Sequence, residues 1–147
     1  MPNKSTVEKA KEDLREGKSP TTAAGEFVHE EIEHIRHGKH GARSPQQAIA
    51  IGLSKARRAG IPLKPPPRGT VKEKTRRSAE RAYRKGQAHA KPPRRKYSRI
   101  RENVMKHEPH SSASHRALSR HAHRAATRRR RKTHNRPAGR RRQRASR

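Results

Sequence analysis

Thirty of the 41 lysine and arginine residues in this 147-residue chain lie after position 63, together with only 4 of its 12 acidic residues. The net charge is therefore +3 over residues 1–63 and +26 over residues 64–147. A segment charged at that density repels itself and does not close around an apolar core. The large apolar side chains divide the other way: Leu14, Phe27, Val28, Ile32, Ile35, Ile49, Leu53, Ile61 and Leu63 all fall in the first segment. Hydrophobic residues make up 26% of the chain, against about 45–50% in globular proteins. One core spanning the whole chain is thereby excluded. The expected organisation is a small α-helical domain over 1–63, a Pro-rich linker over 64–69 (KPPPRG), and a largely disordered Lys/Arg/His-rich tail over 70–147.

The same composition removes several function classes. No run approaches the roughly 18 apolar residues of a membrane span, and no strongly apolar face accompanies the charge, so a membrane partner is not expected. The absence of Cys excludes disulfides, thiolate metal sites and a Cys nucleophile. The opening MPNKSTVEKAKEDL has no apolar core of a secretory signal. A cytoplasmic setting is expected, at the nucleoid if the partner is DNA.

Helix signals in the first segment are well formed. Ser5-Thr6-Val7-Glu8 fits a capping box and predicts a helix to about Glu16, stopped by Gly17. Ser19-Pro20 places an N-cap before a proline at the first helical position, which predicts a helix over 20–37 ending at Gly38. Gly25 weakens its early turns by about 1 kcal/mol relative to Ala. Ser44-Pro45-Gln46-Gln47 repeats the same start and predicts a helix over 44–59, closed by Gly60 with Ile61-Pro62 beyond. The fold class is mainly α, about three helices with a hairpin 20–37/44–59. So few large side chains leave its stability marginal, so self-association or a protein partner through residues 5–63 is an open alternative.

The hairpin has the order of a DNA-reading helix pair, in which Lys55, Arg57 and Arg58 of the second helix would face base edges. Its six-residue turn, 38–43, is longer than the usual three or four residues. Glu26, Glu30, Glu31 and Glu33 also put negative charge where such motifs meet phosphate. A plain hairpin with a solvated charged face is the expectation. On the first of these helices Glu30 with His34, and Glu33 with His37, are i,i+4 pairs, a spacing that zinc or nickel accepts. The string HEEIEH is not the metalloprotease HExxH, and helical Glu–His pairs are ordinarily solvated ion pairs. No metal and no cofactor is expected. Neither a nucleophilic triad nor a glycine-rich phosphate loop is present, so catalysis is not expected.

The tail carries the functional signal. Residues 109–147 contain 14 Lys or Arg and no acidic residue. Candidate phosphate ligands are Arg76, Arg77, Arg81, Arg84, Lys85, Arg94, Arg95, Lys96, Arg128, Arg129, Arg130, Arg131, Lys132, Arg140, Arg141 and Arg142. Arginine forks suit bidentate contact with phosphate oxygens. Two stretches, about 70–87 and 112–131, are expected to turn helical once phosphate cancels their self-repulsion. Tyr83 and Tyr97 are the tail's only aromatics, too few for a platform that stacks single-stranded bases.

The stretch EFVHEEIEHIRHGKHGARSPQQAIAIGLSKARRAGIPL, residues 26–63, and the preceding residues 5–25 resemble an uncharacterised family of short basic bacterial proteins. The run QAIAIGLSKA at 47–56 is the distinctive piece. The resemblance covers about residues 3–69. It implies a bacterial, intracellular setting; the family is a domain of unknown function with no assigned catalytic residues, and some members carry a plasmid-stabilisation label. Family tails are often rich in Lys and Ala, whereas this one is rich in Arg and His. The resulting expectation is a non-enzymatic protein that binds nucleic acid, DNA rather than RNA, largely without sequence preference. Two other classes fit the same residues: a protein-interaction module localised by its basic tail, and a ribosome- or RNA-associated small protein.

Overall fold

The computed structural model describes residues 2–89 and 95–134, with residues 95–98 described by backbone alone. Among the described residues there are six α-helices and no strand: α1 Lys4–Arg15, α2 Pro20–Arg36, α3 Pro45–Arg58, α4 Glu73–Gln87, α5 Arg95–Lys106 and α6 His115–His134. A single 3-10 turn, Ser111–Ala113, precedes α6. The chain divides into two compact units, Met1–Ser114 and His115–Arg147.

The expected hairpin is present with its expected caps. The Ser19 side chain accepts from the Thr22 amide at 3.2 Å, and the Ser44 side chain from the Gln47 amide at 3.3 Å, each ahead of a proline in the first turn. Gln47 reaches back to accept from the Arg43 amide at 2.8 Å. Gly17, Gly38 and Gly60 follow α1, α2 and α3 with positive φ, as C-terminal caps require. The start of α1 differs from expectation. The helix begins at Lys4 after Asn3, which makes no side-chain cap. Instead the Asn3 amide donates to Glu30 Oε1 of α2 at 2.9 Å, so a tertiary contact replaces the local capping box.

Helices α1, α2, α3 and α4 pack in chain order, each on the next. One core cluster joins Ala10, Ala23, Ala24, Phe27, Ala56 and Ile61; a second joins Ile35, Ala42, Ala48 and Ala113. Alanine dominates both, so the backbones must approach closely. At Gly52 a Cβ would lie 2.7 Å from Val28 Cα and 3.0 Å from the Phe27 carbonyl oxygen. At Gly86 of α4 a Cβ would overlap the Arg57 carbonyl oxygen at the end of α3.

This second approach changes the expected organisation. Residues 64–69 lie inside the first unit and end in a turn closed by the Thr70 amide on the Pro67 carbonyl oxygen at 3.3 Å, and α4 buries Ala82 and Gly86 against α3. Residues 70–147, expected as a disordered arm, contain three helices among those described. Helices α4 and α6 occupy the two stretches expected to turn helical, and α5 is an additional helix within the expected arm. Glu73 in the first turn and the Arg76–Glu80 and Glu80–Arg84 pairs support α4 locally.

These contacts predict opposite effects at two glycines. Gly52→Val should destabilise the chain by about 2–3 kcal/mol through overpacking. Gly25→Ala, at an exposed helical position with nothing within 4 Å of the added carbon, should stabilise it by up to about 1 kcal/mol. Urea midpoints measured by far-UV circular dichroism, with unchanged m-values, check both.

Candidate functional site

Two regions hold the side chains singled out above: basic surfaces on α4 and α6, and a polar cluster inside the first unit.

On α4 the arginines are not equivalent. Arg76 bridges Glu73 at 2.7 Å and Glu80 at 3.3 Å and is largely covered. Its guanidinium holds the Glu73 carboxyl down at about 2. Arg77 pairs with Glu73 at 3.3 Å and Arg84 with Glu80 at 2.7 Å, yet both remain well exposed. Arg81 and Lys85 are exposed on the same helix. Residues 77, 81, 84 and 85 thus form a cationic row at helical spacing.

Helix α6 places Arg116, Arg120, Arg124 and Arg128 at i,i+4 intervals, and Arg129, Arg130, Arg131 and Lys132 follow. All eight are exposed, and no acidic residue occurs in the helix. Arg95 and Lys96 fall in α5, described there by backbone alone. Arg94, Arg140, Arg141 and Arg142 lie outside the described residues.

The three candidate readout residues of α3 are not presented together. Lys55 turns inward to Glu31 Oε2, with its Nζ at 2.5 Å. Arg57 is buried, its Nε donating to the Leu63 carbonyl oxygen at 3.2 Å. Arg58 alone is exposed. Both inward turns have one cause: α2 packs along one side of α3 and the chain after Ile61 runs back over its end, so the charged tips satisfy buried acceptors.

The acidic face of α2 is also not the solvated surface expected. Glu30 is nearly buried and Glu31 has no exposure at all, placing it among the largest fully buried side chains of the chain. Around Glu31 the structure gathers Lys55 of α3, His34 one turn along α2, and His40 from the turn after α2. His40 Nε2 lies 3.3 Å from Glu31 Oε1, and His34 Nε2 lies 3.5 Å from Glu30 Oε1. The His34 and His40 rings meet edge to face at 6.2 Å. Burial, reinforced by the nearby Lys39 and Lys55 charges, lowers the His34 pKa below the ordinary imidazole value and keeps the ring neutral at neutral pH.

The segment bearing His40 is held in place by backbone bonds. Gly41 donates to the Met105 carbonyl oxygen at 2.8 Å and Ala42 to that of Pro109 at 3.0 Å. Arg36 Nε donates to the Ala113 carbonyl oxygen at 3.0 Å, tying the 3-10 turn to α2. Both i,i+4 pairs noted from spacing are present, Glu30–His34 at 3.5 Å and Glu33–His37 at 3.7 Å, but His37 does not join the group of Glu31, His34 and His40. His37 is the C-cap of α2, largely exposed, and its Nδ1 turns to the Glu33 carbonyl oxygen at 2.8 Å. His40, from the turn after α2, is the second histidine of that group. No signal in the sequence marks it, because it acts through a loop.

Lys55 is the sole side chain hydrogen-bonded to the buried Glu31 carboxylate among the described residues. In metal-free buffer Lys55→Met should therefore destabilise the chain by about 3 kcal/mol, and adding Glu31→Leu should restore most of that loss. A double-mutant cycle in urea at neutral pH measures the coupling. Compared with protein-family models, curated proteins and solved structures, the chain finds no match.

Proposed function

We propose that the chain binds duplex nucleic acid, DNA in preference to RNA, by neutralising phosphate through exposed arginines on α6 and α4, without catalysis. The observation that carries this reading is α6: eight exposed basic side chains and no acid on one continuous helix. Its 20 residues span about 30 Å, long enough to meet several successive phosphates. Like charges at i,i+4 destabilise a free helix, and phosphate removes that penalty on binding.

The inward turn of Lys55 and Arg57 supports a mode without sequence readout, since the α3 surface offers Arg58 alone of the three candidates. Phosphate contacts position a protein on a duplex but carry no base information. The preference for DNA follows from groove shape: a helix enters the wide major groove of B-DNA, whereas the deep, narrow major groove of A-form RNA excludes side chains. The cellular setting consistent with this activity is the nucleoid of a bacterial cytoplasm.

The salt dependence of binding to a random-sequence duplex tests the reading. Replacing Arg116, Arg120, Arg124 and Arg128 with Gln should lower the slope of log K against log salt by about 3 to 4. Arg76→Gln, at a side chain already held by two carboxylates, should leave that slope nearly unchanged. A quadruple variant that keeps the full slope excludes α6 as the binding element. Equal or stronger competition by double-stranded RNA at the same phosphate concentration removes the preference for DNA.

A further inference from the structure

The cluster around Glu31 is not among the exposed basic side chains of the proposed phosphate surface, and its hydrogen bonding is incomplete. Glu31 Oε1, Glu30 Oε2 and His34 Nε2 are buried without a hydrogen-bond partner. Each such group costs about 1–3 kcal/mol unless something satisfies it. Three of them close together in a small, alanine-built unit is a concentration that stability alone does not select.

The tautomer of His40 sharpens the point. Its Nδ1 lies 3.1 Å from the Gly41 carbonyl oxygen, which can only accept, so Nδ1 carries the proton. In the neutral ring Nε2 then presents a lone pair, 3.3 Å from the lone pairs of Glu31 Oε1. Two acceptors facing each other at that distance are satisfied only by a proton on Nε2 or by a cation between them. An imidazole whose other nitrogen donates to a carbonyl is also how metal-ligating histidines are oriented.

We propose that Glu31, His34 and His40 form a binding site for a divalent transition-metal cation, with zinc the ion this ligand set suits. Ligand atoms from the three side chains lie within 4.8 Å of one another. A tetrahedral zinc ion with bonds near 2.0–2.1 Å sets its ligands roughly 3.4 Å apart, so closure takes side-chain movements of about an ångström. Two imidazoles and a carboxylate, without thiolate, match zinc rather than calcium or magnesium, which take all-oxygen shells. Lys55 occupies Oε2 of Glu31 and leaves Oε1 to the metal, giving a monodentate carboxylate. Two of the ligands come from α2 and the third from the 38–43 turn, which is itself bonded to Met105 and Pro109. The ion would pin that turn to α2.

The test is zinc titration of the full chain after chelator treatment, read by calorimetry and by long-range 15N spectra of the imidazoles. The chain has 11 histidines, so the specific site must be separated from weak binding along α6. The expected result is one stoichiometric zinc of submicromolar affinity. It should shift ring-nitrogen signals of two histidines at one equivalent and raise the melting temperature by several degrees. His40→Asn should weaken that site by at least about 100-fold, whereas His121→Asn with His123→Asn should leave it unchanged. The ring-nitrogen spectra of the unmodified chain decide the question even if His40→Asn fails to fold. Zinc that binds only weakly, or that moves the α6 histidines at one equivalent, overturns the proposal. So does a His40 ring protonated at both nitrogens and unaltered by zinc, since a proton then fills the gap.

Discussion

Close backbone approach holds the first unit together, because the chain has too few large side chains to separate its helices and still fill the space between them. Phe27, Ile35 and Ile61 are its only large apolar side chains that are fully buried among the described residues. The remainder of both core clusters is alanine, and at Gly52 and Gly86 the helices meet backbone to backbone. Small contact residues gain little from apolar area alone. They gain through the dense contact that short interhelical distances allow.

Thin apolar cover has a consequence for charge. With α1, α3 and the 38–43 turn packed on α2, Glu30 and Glu31 have no route to water, and the fold must supply their partners. Asn3 and Lys55 supply two of them. His34 and His40 approach without completing the hydrogen bonding. The acids of α4 serve a different end: Glu73 and Glu80 draw in Arg76, and the exposed row at Arg77, Arg81, Arg84 and Lys85 is left facing solvent. One chain therefore uses arginine in two ways, as a structural partner of carboxylates and as a solvent-facing cation.

Local signals were legible to within a residue wherever the causes were local. Ser19-Pro20, Ser44-Pro45 and the three capping glycines are set by dihedral preference and by hydrogen bonds inside a single turn. The start of α1 was not legible, since the Asn3 amide finds Glu30, 27 residues away. The docking of α4 was hidden for a similar reason. Ala82 and Gly86 form no apolar stripe, and their value lies in what they omit, a side chain that would hold Arg57 and Gly60 at a distance. A reading based on charge and hydrophobicity therefore assigns α4 wholly to the tail. The eight basic side chains of α6 are exposed, whereas α3, equally free of acids, buries Arg57 against a carbonyl oxygen, so composition alone does not decide which arginines face solvent.

The sequence by itself determined the helical class, the hairpin and its caps, and the concentration of positive charge toward the C-terminal side, all of which follow from neighbours along the chain. Only the tertiary structure decided that Lys55 and Arg57 face inward, that α4 belongs to the first unit, and that His40 joins Glu31 and His34. Those outcomes depend on which backbones come close, and the approach is governed by small residues whose effect appears only when another helix arrives. A buried carboxylate then selects its partners from whatever that approach brings within reach.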